Sequence, residues 1–332
     1  MMSPKTYDAV VVGSGVIGSS ITYELGRRGF RTLTVDRHGG AGFGSTSFSS
    51  AIVRFTYSTY PGVAMSYEGL RYWENWGEHL KADRGAELAK FSQCGMVTLK
   101  TTGGHHLKVL PHFDSIGIPY EDWDEDNFQS HLPELDLRRF GPPKRPEDDG
   151  FWDEPTERLE GGLFTPEAGY VSDPQLASHN LHVAAAALNC DFRFNTEVTA
   201  ITQQGGQITG VELGDGTSIS APVVVNAAGP HSRIINEMAG ALGDMSIATT
   251  PLRQEVHHVP SPEDLDFENR GLNIADDDNG IYVRPDIGNN ILVGSTEPEC
   301  DPLHWVDADH EGQIQAIVFA PIQPSHQPTP GS

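Results

Sequence analysis

The chain has 332 residues, 37% of them hydrophobic, which is enough for one large or two medium domains with an ample core. Acidic residues outnumber basic ones 46 to 22 for a net charge of -24, which argues against nucleic acid or an anionic membrane surface as a partner. No run approaches the roughly eighteen apolar residues of a membrane span, MMSPKTYDA has no apolar signal core, and Cys94, Cys190 and Cys300 are too scattered for a disulfide framework or a metal knuckle, so a cytoplasmic, metal-free protein is expected.

In chain order, YDAVVVG reads as a short buried strand, because four apolar residues bounded by glycine suit the middle of a parallel sheet. GSGVIG follows: Gly13 allows a tight turn, Gly15 lets backbone approach a pyrophosphate, and Gly18 lets helix and strand pack closely. A helix is expected next, with Ile17, Ile21 and Leu25 on one face and Gly29 ending it, so that phosphates sit over its first residues, Val16 and Ile17. RTLTVD gives a second strand. Asp36 closes it, 23 residues after Gly13, where a carboxylate can take the hydroxyls of an adenosine ribose, with Arg37 beside it. This βαβ unit predicts a bound dinucleotide without separating NAD from FAD.

Along residues 44–50, Ser45, Thr46 and Ser47 offer hydroxyls and N–H groups to a pyrophosphate or a ring edge, although serine-rich loops are often only solvated turns. Residues 63–90 read as helix, with Leu70, Trp73 and Leu80 sharing a face, and the acid- and proline-rich residues 121–160 as surface loops. Asp173 can cap a helix beginning at Pro174, whose buried stripe is Ala177, Leu181, Ala184 and Leu188. A meander follows in EVTAI, which carries Val198, then ITGVEL and TSISA. It ends in VVVNAAGP, a second apolar strand whose turn at Ala228 and Gly229 again lets backbone approach a ligand.

The pairs His105-His106 and His257-His258 lack ligand spacing and read as surface histidines. Asp276-Asp277-Asp278-Asn279-Gly280 reads as a hairpin turn, since Ile287 stands where an EF-hand would need its last carboxylate. The hairpin NGIYVRPDIGNNILVGST then carries Tyr282 and Arg284 on its first strand.

A long excursion between the first βαβ unit and the meander is unlike an ordinary NAD-binding dehydrogenase. GSGVIG with Asp36, GSTSFSSAIVRFTY, GYVSDP, and EVTAI through VVNAAGP together resemble the FAD-dependent family that contains glycine oxidase, D-amino-acid oxidase and the sarcosine and dimethylglycine oxidoreductases. The resemblance covers roughly residues 7–300. It implies an α/β fold: a Rossmann-like FAD-binding domain with a β-meander from residues 1–58 and 165–250, and an antiparallel-sheet substrate domain from 59–164 and 251–310. It also implies oxidation of the C–N bond of a small amino acid or N-methylated amine, by hydride transfer to the flavin N5, with O2 or another carrier as acceptor.

Further implications are residue by residue. Phe48 stands where family members with a histidyl flavin carry that histidine, and no cysteine follows Cys300, so non-covalent FAD is expected. Arg54 matches an arginine that holds the substrate carboxylate; alone it reads as a surface ion-pair residue. Arg284 is comparable to a second such arginine, and Tyr282 is a neighbour that suits core equally. Leu292 and Thr296 replace a lysine that promotes oxygen activation and an active-site histidine. Residues 311–332 look like a disordered tail in place of the family's usual closing strand and helix. Oxidation of a 2-hydroxy acid or polyol phosphate, or a non-catalytic fragment, are the alternatives.

Overall fold

Strand β1, Ala9–Val12, is buried along its whole length. In the computed structural model, which describes residues 6–307, it leads into helix α1, Val16–Arg27, and strand β2, Thr32–Val35. β1 and β2 pair in parallel, Ala9 opposite Thr32 through Val12 opposite Val35. The helix is where the sequence predicts it, but its buried face is not the predicted one. Gly18, Ser19, Thr22, Tyr23 and Gly26 are buried, Ile21 and Leu25 are half-buried, and Ile17 is 67% exposed. Close approach explains this: the face against the neighbouring backbone is the one made of small side chains.

After β3, Ile52–Val53, the helix expected over 63–90 is two, α2, Tyr60–Glu74, and α3, Trp76–Leu80. Asn75 breaks the helix, with φ -118 and ψ 35, and Lys81 ends it in a left-handed conformation, φ 53. Leu70 therefore packs with Phe55 and Phe113, whereas Trp73 and Leu80 pack with Trp76, Tyr23 and Leu181. Next come β4, Phe91–Ser92, β5, Met96–Leu99, α4, His105–Ile116, β6, Glu121–Trp123, and α5, Glu125–His131. Residues 121–160 are thus less loop-like than their charge suggests. Trp123, Phe128, Leu132, Leu137 and Leu159 form one buried cluster while the acids between them stay at the surface.

The chain continues through β7, Gly162–Thr165, and β8, Gly169–Val171, to α6, Pro174–Ala186, where Asp173 Oδ1 accepts the Leu176 N–H at 2.8 Å as a cap. Ala177 and Leu181 are buried as expected; Leu188 lies beyond the helix and is exposed. α6 packs on α1, and a Cβ added to Gly26 of α1 would lie 2.7 Å from Cys190 Sγ, so the small residue there is required by packing. β9, Asp191–Arg193, precedes the meander β10, Val198–Gln204, β11, Gln207–Leu213, and β12, Ser218–Ser220. β13, Val224–Asn226, and α7, Ser232–Met238, lead to β14, Val256–Pro260, α8, Phe267–Arg270, β15, Asn273–Asp276, β16, Ile281–Asp286, and β17, Asn290–Ser295.

These strands build a parallel sheet, β13-β1-β2-β9, flanked by the three-stranded meander. A seven-stranded sheet, β14-β17-β16-β15-β5-β7-β6, is antiparallel except where β15 meets β5. A small sheet, β3-β8-β4, joins residues near 52, 91 and 170. The result is the mixed α/β fold that the motifs predict. Asp276 Oδ1 accepts the Asp278 and Asn279 N–H groups, making a turn between β15 and β16. His106, His257 and His258 are half-buried rather than on the surface, His258 with Nε2 2.8 Å from Asp286 Oδ2. Among the described residues no helix is long and apolar enough to cross a membrane. The expected tail, 311–332, lies outside the described residues.

Candidate cofactor-binding site

β1 ends at Gly13, whose φ of +100 is open to glycine and strained for other residues. The Gly13 N–H donates to the Val35 carbonyl at 2.8 Å and the Ala227 N–H to the Val12 carbonyl at 2.9 Å, so the turns after β1 and β13 abut. An added Cβ at Gly13 would run into the Ala227 carbonyl, and one at Gly18 into the Gly13 carbonyl. Above this floor, helix α1 begins at Gly15, which offers no side-chain cap, and its first turn carries no acidic residue. The Val16 N–H finds a partner from elsewhere in the chain, donating to Thr46 Oγ1 at 3.0 Å. That bond uses the hydroxyl as acceptor and leaves its hydrogen free to donate.

A cleft of about 240 Å³ opens here. Gly13, Gly15, Val16 and Ile17 line it from β1 and α1, Asp36 and Arg37 from the tip of β2, and Ser45 and Thr46 from the following loop. Val198 from the meander and Ala228 and Gly229 from the NAAGP turn complete the predicted set. Two predicted residues are not in the lining: Gly18 is buried, and Ser47 Oγ donates back to the Gly44 carbonyl at 2.9 Å. Asp36 is held by two backbone N–H groups, Ser14 on Oδ2 at 2.6 Å and His38 on Oδ1 at 2.8 Å. Each oxygen keeps a second lone pair for a ribose hydroxyl. A helix end without its own cap, a glycine floor, a donor hydroxyl and an acceptor carboxylate fit the phosphates and adenosine ribose of FAD.

Sequence reasoning missed part of the lining. His38, Thr196, Glu197, Pro230, His231, Ile234, Ile235 and Met238 also line the cleft. Arg37 Nη2 lies 2.6 Å from His231 Nε2, a contact between residues 194 apart that no local pattern announces. The spacing of Ile234, Ile235 and Met238 on α7 was the one readable signal.

The residues predicted for substrate lie outside this lining. Arg54 is exposed, donates through Nη1 to the Thr56 carbonyl at 3.0 Å and hydroxyl at 3.1 Å, and stacks on Tyr57 at 4.9 Å. Arg284 is buried, with Nε donating to the Ser50 carbonyl at 2.6 Å and Nη1 3.0 Å from Asp286 Oδ1. Tyr282 is half-buried opposite Gly294, where its ring fills the space of the absent side chain. Leu292 pairs with both Arg284 and His258, so by strand alternation all three, with Tyr282, share the face of the sheet turned to Ser50.

Phe48 lines the cleft and has no nucleophilic atom, and burial pushes the Cys94 thiol up to about 11, so it stays protonated at neutral pH. Acid precipitation of the purified protein is therefore expected to release all the flavin into the supernatant. Yellow colour kept by the denatured pellet would show a covalent bond instead.

Fold and cleft together define a dinucleotide-binding α/β protein. The family described as DAO, FAD dependent oxidoreductase, matches residues 8–322, and the chain belongs to that family. Its cofactor is FAD and it is an oxidoreductase. It is 24% identical over 297 residues to the glycine oxidase of Geobacillus kaustophilus, covering 87% of this chain and 70% of that one. It is 26% identical over 301 residues to the 4-methylaminobutanoate oxidase (formaldehyde-forming) of Paenarthrobacter nicotinovorans, covering 89% of this chain but 32% of that enzyme. The crystal structure of the Geobacillus glycine oxidase superposes with a TM-score of 0.70 at 22% identity, over 93% of this chain and 75% of that one. The L-proline dehydrogenase of P. horikoshii gives 0.69 at 20%, over 90% and 73%.

Proposed function

We propose that this enzyme oxidises the C–N bond of a small amino acid or N-methylated amine. The observation that carries the reading is that the family match spans both the cleft and the seven-stranded sheet, and that the relatives above are named for glycine and for a methylamino acid. Under this reading residues 1–58 and 165–250 hold the cofactor, and 59–164 and 251–310 form the substrate side. Bound FAD supplies the two-electron acceptor. The chain's part is to bind and orient: the glycine turn, the α1 N-terminus, Thr46 and Asp36 hold the dinucleotide, while Arg54 takes the substrate carboxylate with the donors that Thr56 leaves over. A carboxylate held by two parallel N–H groups fixes the adjacent carbon as well as adding affinity. No protein base is required if the amine binds neutral. Either O2 or another carrier serves as final acceptor, and a reducing compartment such as the cytoplasm suits three unpaired thiols.

Anaerobic mixing with sarcosine, glycine or D-amino acids should bleach the flavin absorbance. Arg54→Ala should then raise the dissociation constant for carboxylate-bearing amines roughly 10- to 100-fold, the size of a lost charge-assisted hydrogen bond, and change neutral amines far less. Equal losses for acids and neutral amines would remove the carboxylate role from Arg54. Bleaching by 2-hydroxy acids alone would overturn the amine reading.

A further inference from the structure

Arg284 is 3% exposed, and the protein itself already satisfies much of it. Nε donates to the Ser50 carbonyl at 2.6 Å, Nη1 donates to the Pro285 carbonyl at 2.6 Å and lies 3.0 Å from Asp286 Oδ1, and the guanidinium carbon sits 4.5 Å from the centre of the Tyr170 ring. Asp286 balances the buried charge, so a substrate carboxylate here would have to compete with an ion pair already made.

Two of these partners belong to other layers of the molecule. Tyr170 lies in β8, paired with Ile52 of β3 on one side and Ser92 of β4 on the other. Ser50 ends the loop that carries Ser45, Thr46 and Phe48 into the cofactor cleft. The next residue, Ala51, has φ +53, a conformation that an alanine keeps only where its surroundings impose it. Between these points the connection is continuous: Arg284 grips the Ser50 carbonyl, the loop runs back through Phe48 to Thr46, and Thr46 Oγ1 accepts the first N–H of α1.

We propose that Arg284 is a positioning residue that sets the cofactor loop 44–50 from the seven-stranded sheet, and does not clamp substrate. The inference rests on the FAD site alone and is independent of which substrate the enzyme takes. Loop 44–50 lines the cleft through Gly44, Ser45, Thr46 and Phe48, whereas Asp36, Arg37 and Val198 line it from other elements. Loss of Arg284 is therefore predicted to weaken FAD and to spare a ligand that carries only adenosine and one phosphate.

The experiment uses the full chain, stripped of flavin, in three forms: Arg284→Lys, Arg284→Met, and Arg284→Met with Asp286→Asn, which removes the two charges together and leaves the amide to face His258. Dissociation constants for FAD, by flavin fluorescence, and for AMP, by calorimetry, are measured beside the thermal midpoint of the apoprotein. FAD affinity is expected to fall about tenfold or more, as for loss of a charge-assisted hydrogen bond, with AMP within about twofold. Lysine keeps the charge opposite Asp286 but lacks the planar fork, so Arg284→Lys should melt near wild type and still lose FAD affinity. Parallel weakening of FAD and AMP would reduce Arg284 to general stability and overturn the proposal. Full rescue by lysine would do the same, as would unchanged FAD affinity joined to a selective loss of carboxylate substrates.

Discussion

Gly15→Val is expected to give a folded protein that no longer retains FAD. At φ -64 and ψ -179 the backbone suits any residue, and the nearest atom to an added Cβ is Thr46 Oγ1 at 3.0 Å, the end of a side chain that can yield slightly. The fold therefore tolerates the change. The cleft does not, because the new side chain stands over the α1 N-terminus where the pyrophosphate must approach the backbone N–H groups. Losing even two charge-assisted hydrogen bonds there costs roughly 3–6 kcal/mol, a factor of at least a hundred in affinity. Fluorescence titration with FAD beside a thermal melt checks both halves of the statement. A folded variant with wild-type FAD affinity would show that the phosphates lie elsewhere.

Gly18→Val is expected to act on the protein rather than on the ligand. Its Cβ would overlap the Gly13 carbonyl oxygen, with the carbonyl carbon at 2.9 Å and the Ala227 Cβ at 3.3 Å. Backbone cannot step aside as a rotamer does, so α1 must lift away from the turns that end β1 and β13. Overpacking of this kind costs about 3 kcal/mol or more, a large share of the stability of an ordinary domain. The urea midpoint of the apoprotein should fall accordingly, and FAD should bind poorly as a consequence. An unchanged midpoint would mean that the helix does not rest on Gly13 as closely as described. Two glycines of one motif thus do separable work, one keeping space for a ligand and one keeping space for a helix.

The parts of this molecule that sequence reveals are those set by short-range spacing. The glycine turn, Asp36 at the tip of β2, the Asp173 cap, the meander and the β16–β17 hairpin each follow from residues within a few positions of one another. The buried face of α1 was misread because apolar periodicity marks a face only when large side chains fill the space behind it; here closeness selects Gly18, Ser19, Thr22 and Gly26 instead. The acidic stretch 121–160 hid Trp123 and Phe128 because its composition outweighed two well-placed aromatics. In the cofactor cleft, residues on the glycine and NAAGP motifs were legible, and those on α7 and at Glu197 were not, since only the tertiary fold brings them into one cleft with Asp36. Arg284 was legible as a residue of the hairpin's first strand, and through the family resemblance as a carboxylate-binding arginine, but its partner Ser50 is 234 positions away.

The parallel sheet has a consequence for how the chain must be made. β1 leaves the ribosome well before one of its two neighbours, β13, with Val10 opposite Val224 and Val12 opposite Asn226. The seven-stranded sheet has the same property, because β5 waits for β15, Met96 opposite Asn273. Until those late segments arrive, AVVV offers an open apolar edge to any other strand, and contacts closed over such loops form slowly. A ribosome-bound chain stalled before residue 223 should therefore expose β1 to protease and to self-association, while the acidic excess of the nascent chain holds neighbouring copies apart.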